Sequence, residues 1–294
     1  MVKKRTASEY VFDVVNVLIM ILLAIITLYP LYYVLTCSVS ESNQLIGARG
    51  IMLLPKGFSL AAFRAVFNNP NILTGYRTTL IVVVFGTFVN VVMTAIGAFL
   101  ITRKKFAVKK VVSYMIVFTM FFNGGMIPTY LMVYKWLHLG DTLWALILPT
   151  AISTYNLMIM KSNFASLPDS LEEAAKIDGA NDIVILFRIV LPLSMPIIAV
   201  MILFYGVAHW NSWFQAMLYI RTRSKYPLQL ILREVLLMND TSGMGATASV
   251  GDQYMLGESI KYATIIVATI PILCVYPFIQ KYFVKGIMIG AIKG

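Results

Sequence analysis

Long apolar stretches separated by short polar segments dominate the chain. A helix needs about 20 mostly apolar residues to cross ~30 Å of hydrocarbon, whereas the strands of a membrane barrel are short and alternate apolar with polar positions. The stretches have the length of helices and lack that alternation, so the pattern predicts an all-α, polytopic membrane protein with six transmembrane helices. The six predicted spans are residues 14–35, 76–101, 111–134, 143–160, 193–214 and 262–282.

Positive charges mark one end of these spans. Residues 103–110, RKKFAVKK, join the second and third spans with five cations and no acidic residue. Cytoplasmic loops carry such an excess of lysine and arginine, so we expect this loop to be cytoplasmic, and with it both termini because the number of spans is even. The predicted regions are a cytoplasmic N-terminus at 1–13, a six-helix transmembrane domain at 14–282 with an outer loop at 217–261, and a cytoplasmic tail at 283–294.

Composition narrows the function classes further. The chain is 59% hydrophobic with 13% charged residues, and its net charge of +11 arises from cations at the ends of apolar runs. Nucleic-acid binding is therefore not expected, since it needs a basic surface interleaved with aromatic residues. Cys37 and Cys274 are far apart and the chain has only two histidines, so neither a disulfide framework, a metal site nor a bound cofactor is predicted.

A charged, helix-forming insert interrupts the apolar pattern in the cytoplasmic loop at 163–192. Its central part reads LEEAAKIDGANDIVILFRIVLP. Ser170 and Glu173 have the spacing of a capping box, so we expect a helix to begin at Ser170. Glu172 and Lys176 form an ion pair four residues apart in the favourable order, which supports the same helix.

Gly179 is expected to end this helix, and Asn181 or Asp182 to cap a second one that runs to Leu191 before Pro192 changes its direction. The product is a helix–turn–helix that suits docking into a groove on another protein. Capping explains such a hairpin equally well if it contacts nothing, so the residues by themselves leave both interpretations open.

The insert also resembles the EAA loop of the binding-protein-dependent ABC transporter permeases. That loop has Glu-Ala-Ala, three residues, Gly, nine residues and then Ile-x-Leu-Pro. Every interval matches in this chain, at Glu173, Ala174, Ala175, Gly179, Ile189, Leu191 and Pro192. Within the family, the tail FVKGIMIGAIKG at 283–294 is similar to the carbohydrate-uptake branch, which includes the second membrane subunit of maltose-type importers. GGMIPTYL at 124–131 is similar to members that serve complex, uronate-containing oligosaccharides.

The resemblance implies a permease subunit that forms half of the translocation path of an ABC importer in a bacterial or archaeal cytoplasmic membrane. The implied partners are a second, homologous permease in a heterodimer, two cytoplasmic ABC ATPase subunits, an extracytoplasmic solute-binding protein, membrane lipid, and a carbohydrate, with an oligosaccharide as the expected kind. No G-x-x-x-x-G-K-[ST] phosphate loop occurs, so the chain is not expected to be an enzyme and ATP hydrolysis is assigned to the partners.

The EAA loop would couple the ATPases to the membrane helices. We expect Glu173 to contact the ATPase as well as to cap the helix, Ala174 and Ala175 to allow close approach, and Gly179 to form the bend. Ile189, Leu191 and Pro192 would anchor the second helix at the fifth span. The predicted coupling residues are Ser170, Glu172, Glu173, Ala174, Ala175, Asp178, Gly179, Ile189, Leu191 and Pro192.

Residues that line the substrate path are harder to identify. Sugars suit aromatic rings flanked by amide and hydroxyl groups, and such groups cluster at 205–215, YGVAHWNSWFQ, and near Asn123, where glycines allow a helix break. The candidates are Asn123, Tyr130, Tyr155, Asn156, Tyr205, Trp210, Asn211 and Trp213. Interfacial aromatic belts explain many of them equally well, and His209 is expected to be a hydrogen-bonded structural residue.

Two other functions remain open at this stage. A permease of the same family could carry a solute other than a sugar. An ion-coupled secondary transporter is disfavoured, because coupling usually needs an ionisable residue deep in the bilayer and no charge occupies the centre of a predicted span. A membrane enzyme is excluded, since no catalytic constellation is visible.

Overall fold

The computed structural model describes residues 7–46, 50–103, 107–237, 258–275 and 277. Within these ranges the regular structure is helical, and the one extended feature is an isolated bridge between Ser40 and Phe58. The all-α prediction is confirmed for this part of the chain. The predicted cytoplasmic tail at 283–294, the first residues of the N-terminus and much of the predicted outer loop lie outside the described residues.

Fifteen α-helices are assigned within the described residues. They are α1 Ala7–Ser38, α2 Ser42–Ile46, α3 Ala61–Asn68, α4 Pro70–Thr102, α5 Lys109–Phe121, α6 Met126–Leu131, α7 Trp144–Ile147, α8 Thr154–Ala165, α9 Asp169–Ile177, α10 Asp182–Ile185, α11 Leu191–Leu193, α12 Met195–Trp210, α13 Trp213–Tyr219, α14 Leu228–Leu237 and α15 Glu258–Val275. π-helical turns follow α6 at Met132–Trp136 and α10 at Leu186–Val190, and 3-10 turns lie at Leu148–Thr150 and Arg223–Lys225.

Among the described residues, α1, α4 and α15 are each long and apolar enough to cross a membrane. Two bent pairs also qualify if each pair is one span. These are Lys109–Phe121 with Met126–Trp136, bent by 114°, and Asp182–Leu193 with Met195–Trp210, bent by 87°. The structure therefore supports three to five spans, and the count of six stays a prediction.

The third predicted span, 111–134, contains the helix break that its glycines suggested. α5 ends at Phe121, Gly125 has a φ of 87°, and α6 begins at Met126. The side-chain Oδ1 of Asn123 accepts a hydrogen bond from the backbone N of Gly125 at 2.9 Å, which fixes the turn locally. The backbone conformation at Gly125 is one that a residue with a Cβ rarely adopts.

The fourth predicted span, 143–160, is not one continuous helix, and its crossing of the membrane stays a prediction. After α7 the backbone tightens into the 3-10 turn that contains Pro149, and α8 starts anew at Thr154. Ser153 provides the competing signal, because its hydroxyl accepts a hydrogen bond from the backbone N of Asn156 and so caps α8. An apolar run of the right length thus contains an internal helix start.

The described chain forms two compact units, Met1–Pro70 with Val235–Thr269, and Asn71–Glu234 with Ile270–Gly294. In the first unit, the apolar side chains of α1 are almost all exposed, which would be unfavourable in water and suits contact with lipid. The ring of Tyr33 on α1 meets that of Tyr262 on α15 edge-on at 6.0 Å, so these two helices lie against each other.

The second unit has two hydrophobic clusters that α4 connects along its length. Near the C-terminal end of α4, Ala98 and Phe99 pack with Met160 of α8 and with residues of α9, α10 and α12. Nearer its N-terminal end, Val82 packs with α7, α13 and α14 in a cluster that includes Leu146. The candidate functional residues lie on these two clusters and between them.

Candidate functional site

The loop that resembles the EAA motif folds as α9, a tight turn and α10, and we call residues 169–193 the EAA segment. The helix begins at Asp169, with Pro168 in extended conformation as its N-cap and without a side-chain capping bond. The predicted capping box is therefore wrong, since Ser170 and Glu173 both lie inside the helix. Proline supplies the φ of the cap residue, and Asp169 and Glu172 place negative charge in the first turn, which the helix dipole favours.

The turn after α9 is a Schellman motif. The backbone N of Gly179 donates to the carbonyl of Lys176 at 3.1 Å, and that of Ala180 donates to the carbonyl of Ala175 at 2.9 Å. Gly179 has a φ of 77°, and a Cβ added there would meet no atom within 4 Å. Backbone conformation, and not lack of space, is thus what demands glycine. The predicted helix end at Gly179 is confirmed.

The second helix of the segment, α10, is capped by one of the two residues predicted for that role. The Oδ1 of Asn181 accepts a hydrogen bond from the backbone N of Val184 at 2.9 Å, so Asn181 and not Asp182 is the cap. α10 continues through the π-helical turn and α11, and the chain then bends by 87° at Ser194 into α12. Pro192 lies two residues before Ser194, so the change of direction comes just after it.

A side chain from the end of α4 holds the EAA segment in place. Arg103 forms an ion pair with Glu172, whose other oxygen accepts from Lys176 Nζ at 2.5 Å. The guanidinium of Arg103 also lies 4.0 Å from the centroid of the Phe99 ring, within the hydrophobic cluster. The side chains of Arg103 and Glu172 are only 15% and 23% exposed, so water screens this pair poorly.

The charges around Arg103 extend to the second helix of the segment. Burial lowers the pKa of Arg103, and the carboxylates of Asp182 and Asp169 oppose that shift. An arginine remains protonated at neutral pH even so. Lys176 Nζ lies 3.8 Å from Asp182 Oδ1, which connects α9 to α10 across the turn. In the sequence Arg103 is visible only as one of the cations that indicate topology, and its contact with Glu172 is not predicted.

One predicted coupling residue faces the wrong way for its assigned role. Ala175 is buried in the chain's own hydrophobic cluster, so its small side chain allows α9 to approach α4 and α12 and not a partner. Ala174 and Glu173 are exposed, as are Ser170, Asp178 and Pro192. Ile189 and Leu191 are partly buried and pack against the same cluster.

Two isoleucines beside the turn are exposed to an unusual degree. Ile177, the last residue of α9, is 87% exposed, and Ile183 in the first turn of α10 is 69% exposed. Large apolar side chains at the tip of a polar hairpin indicate a surface that contacts another molecule. The sequence analysis counted Ile183 as part of the apolar face of the second helix and did not single out Ile177.

Several candidate path residues instead belong to the interior of the second unit. The hydroxyl of Tyr205 bonds to that of Thr94 at 2.6 Å and accepts from the backbone N of Ser153 at 3.0 Å. Asn156 and Trp210 are also buried, and the Trp210 ring meets that of Tyr76 at 6.3 Å. Tyr205 and Trp210 therefore make contacts between helices, and Asn156 is closed off from solvent.

The remaining candidates are at least partly accessible. Tyr130 stacks between Tyr134 and Tyr219, with ring centroids 5.4 and 5.9 Å apart. Trp213 is 37% exposed and has the guanidinium of Arg233 at 5.1 Å from its ring centroid. Asn123, Tyr155 and Asn211 are exposed, although the amide of Asn211 donates to a backbone carbonyl of its own helix.

A polar row along α4 was missed by the sequence analysis. Asn90 Nδ2 donates to the carbonyl of Thr150 at 2.9 Å, and its Oδ1 lies 3.4 Å from Nε2 of His209, which is therefore hydrogen-bonded as expected. A Cβ on Gly86 would lie 2.5 Å from the same histidine nitrogen, so glycine is needed to admit that ring. The available signal is the recurrence of small and polar residues on one side of an otherwise apolar span.

At the other end of the second unit, Asp141 joins two loops in an arrangement that we call the Asp141 clamp. Its Oδ1 accepts from the backbone N of Arg221 at 3.0 Å and of Thr222 at 2.9 Å, and its Oδ2 accepts from the Thr222 hydroxyl at 2.6 Å and from Lys225 Nζ at 3.0 Å. These hydrogen bonds, those of Thr222 foremost, hold the pKa of Asp141 well below its usual range.

Comparison with known proteins agrees with this geometry. The family described as "Binding-protein-dependent transport system inner membrane component" matches residues 93–289. From Bacillus subtilis (strain 168), Protein LplC is 42% identical over 99% of this chain and 97% of its own length. The polygalacturonan/rhamnogalacturonan transport system permease protein YtcP of the same organism is 42% identical over 96% of this chain and 98% of its own.

A solved structure supports the same relationship. A chain of a bacterial ABC transporter involved in the import of the acidic polysaccharide alginate superposes with a TM-score of 0.86 at 30% sequence identity. The match covers 95% of this chain and 99% of that one. The helices described above therefore form a fold that occurs in a membrane transporter.

Proposed function

This chain belongs to the family of binding-protein-dependent transport system inner membrane components, and from that premise we propose that it is the permease subunit of an ATP-driven importer of oligosaccharides. It forms half of a translocation path together with a second, homologous permease. The relatives named for polygalacturonan, rhamnogalacturonan and alginate support a carbohydrate substrate. A solute-binding protein delivers this substrate from the outside.

In this proposal the EAA segment transmits movement from the ATPase subunits to the membrane helices. The observation that carries it is the Arg103–Glu172 ion pair, because it attaches α9 to the end of the long helix α4. Displacement of α9 then acts on α4 directly through a half-buried contact. The core packing of Ala175 on one side and of Ile189 and Leu191 on the other makes the segment stiff enough to act as a lever.

The surface offered to the ATPase consists of the exposed side of this hairpin. Ile177 and Ile183 supply apolar area, and Glu173 and Ala174 lie beside them in exposed positions. Burying apolar surface contributes about 25 cal/mol per Å², so two isoleucines that insert in a groove would be the main source of affinity here. Ala174, and not Ala175, is the small residue available for close approach.

The orientation follows from the same assignment. The EAA segment, both termini and the cationic loop at 103–110 lie in the cytoplasm, and the Asp141 clamp lies on the outer side. Among the candidate path residues, Asn123, Tyr130, Tyr155 and Trp213 are accessible enough to meet a sugar, whereas Tyr205, Asn156 and Trp210 support the walls.

The test is site-specific crosslinking in the reconstituted importer. In a variant lacking Cys37 and Cys274, Ile177→Cys is expected to crosslink to an ATPase subunit and to do so differently with and without ATP. Leu137→Cys is the matched control, because this residue is also exposed but belongs to the loop on the outer side. Reaction of Ile177→Cys with an impermeant reagent added outside, or its failure to reach any ATPase, would contradict the proposal.

A further inference from the structure

Two arginines of the second unit lie on aromatic rings near the Asp141 clamp and in α14. The guanidinium carbon of Arg221 is 5.1 Å from the centroid of the Tyr134 ring, and that of Arg233 is 5.1 Å from the centroid of the Trp213 ring. A guanidinium on a ring face is held by cation–π attraction while its N–H edges stay available. That edge can bind a carboxylate through two parallel hydrogen bonds.

The nearest cations in the sequence pair with acids among the described residues, whereas Arg221 and Arg233 do not. Lys225 pairs with Asp141 at 3.0 Å, and Arg223 pairs with Glu234 at 3.4 Å. Within the part of the chain that the structure describes, neither Arg221 nor Arg233 has a carboxylate partner. Arg221 and Arg233 thus each combine a position on an aromatic ring with the lack of an acidic partner among the described residues.

The surroundings of Arg221 hold it in one place before any ligand arrives. Its backbone N donates to Asp141, and the ring beneath its guanidinium belongs to the stack that Tyr134 forms with Tyr130. Gly140 leaves room for that ring, since an added Cβ would lie 2.5 Å from the Tyr134 Cε2. An ordered side chain loses little entropy on binding, which is the property of a receptor and not of a merely solvated charge.

We propose that Arg221 on Tyr134 and Arg233 on Trp213 are two binding sites for carboxylate groups of an acidic, uronate-containing oligosaccharide on the outer side of the permease. This inference rests on the proposed function and deepens it, because it assigns the class of sugar and the residues that recognise it. The guanidinium edges bind the carboxylates of the sugar chain, each arginine being held on the ring beneath it.

An acidic side chain of the solute-binding protein could bind the same two arginines, because it also carries a carboxylate. The experiment separates the two sources by omitting that protein in one arm. The complete importer is placed in lipid nanodiscs, and binding of trigalacturonate and of neutral xylotriose is measured with and without the solute-binding protein. The variants are Arg221→Gln, Arg233→Gln and Arg221→Lys, and the control is Lys135→Gln, which removes an equal charge next to Tyr134.

We expect Arg221→Gln and Arg233→Gln each to weaken trigalacturonate binding about tenfold without the solute-binding protein, because a bidentate charged contact is lost. Arg221→Lys retains the positive charge but lacks the two parallel N–H donors of a guanidinium, so an intermediate loss of affinity of roughly threefold is expected. Lys135→Gln leaves the affinity within about twofold, and xylotriose is bound no better or worse by any variant.

Three results would overturn this assignment. One is that the wild-type importer does not bind trigalacturonate in preference to xylotriose. A second is that Lys135→Gln weakens binding as much as Arg221→Gln. The effect would then come from the local positive charge and not from a specific site at Arg221. The third is that the arginine variants matter only when the solute-binding protein is present. In each case ATP hydrolysis driven by some other sugar would still support the proposed importer, so the two failures are distinguishable.

Discussion

Two carboxylates of this protein, Glu172 and Asp141, each hold together segments that are far apart in the sequence, yet they do so with different donors. Glu172 is bound by the side chains of Arg103 and Lys176, whereas Asp141 accepts two hydrogen bonds from backbone N–H groups, one from a hydroxyl and one from Lys225 Nζ. The two carboxyl groups have comparable exposure, 23% and 30%. The donors, and not the burial, distinguish them.

The difference matters for what each connection can do. Backbone donors have fixed positions, so the Asp141 clamp defines one arrangement of two loops. Long cationic side chains can follow a carboxylate as it moves, so the Arg103–Glu172 pair can stay formed while α9 shifts relative to α4. The EAA segment is thus attached by a contact suited to motion, and the loops that meet at Asp141 by a contact suited to a fixed shape.

The strongest test of the moving region concerns its turn. Gly179→Val places a β-branched residue at a φ of 77°, and a left-handed backbone costs such a residue roughly 1–2 kcal/mol or more. We expect transport to fall by about tenfold or more while ATP hydrolysis by the assembled importer persists, because the turn between α9 and α10 is distorted and the EAA segment no longer transmits movement. The measurement is sugar uptake and ATP hydrolysis in the same proteoliposomes.

Gly179→Asn is the matched control for that change, since asparagine tolerates the left-handed conformation. It should retain uptake within about threefold of the wild type. Equal loss in both variants, or loss of assembly in either, would mean that the glycine is required for a reason other than its backbone conformation.

Breaking the attachment itself is expected to have the next largest effect. Arg103→Gln removes one of the two cations on Glu172 and leaves that carboxylate poorly solvated, at a cost of ~2 kcal/mol in local stability. Uptake per ATP hydrolysed should decrease several-fold. The exchanged variant Arg103→Glu with Glu172→Arg restores the pair in reverse, and its failure to recover any of the lost coupling would argue against a specific ionic contact.

Asp141→Asn tests the fixed connection made by the Asp141 clamp. The amide keeps one acceptor oxygen for the backbone donors but cannot accept from both Thr222 and Lys225, so we expect a local loss of about 1 kcal/mol. Hydrogen exchange at residues 220–225 should become faster by about fivefold, with little change in the ratio of uptake to ATP hydrolysis. A large loss of coupling would remove the distinction between the two regions.

The pH dependence of the clamp follows from the direction of its pKa shift. Folding lowers the pKa of Asp141, so its contribution to stability is complete above the unfolded-state value of about 3.9 and is lost only as the pH falls below it. Exchange at residues 220–225, corrected for its intrinsic rate, should therefore be constant from pH 8 to pH 5. A transition in that window would indicate that another group controls the loop.

How much of the fold and of the candidate site could be predicted from the sequence depends on how many residues separate the two partners of each contact. The Gly179 turn and the Glu172–Lys176 pair were predicted correctly, and the cap of the second helix was narrowed to Asn181 or Asp182, because each is decided within a few residues. The capping box failed locally, since Pro168 fixed the helix start before Ser170.

Contacts between distant segments could not be predicted in the same way. Arg103 meets Glu172 across 69 positions of sequence, and Asp141 meets Thr222 across 81. Nothing in either local pattern identifies the partner, since charge and spacing are equally consistent with a solvated side chain. Gly86 and Asn90 recur on one side of α4 in the sequence, but only the structure shows that this side packs against His209.

The smallest expected effect completes the comparison, because it separates the two cations of Glu172. Lys176 is more exposed than Arg103, 37% against 15%, and pairs within its own helix, where such contacts are worth about 0.3–0.5 kcal/mol. Lys176→Gln should therefore change uptake by less than about twofold and leave the ratio to ATP hydrolysis intact. If Lys176→Gln instead matched Arg103→Gln in uncoupling, the bond to α4 would have no special role, and the charge on α9 alone would explain the behaviour of the EAA segment.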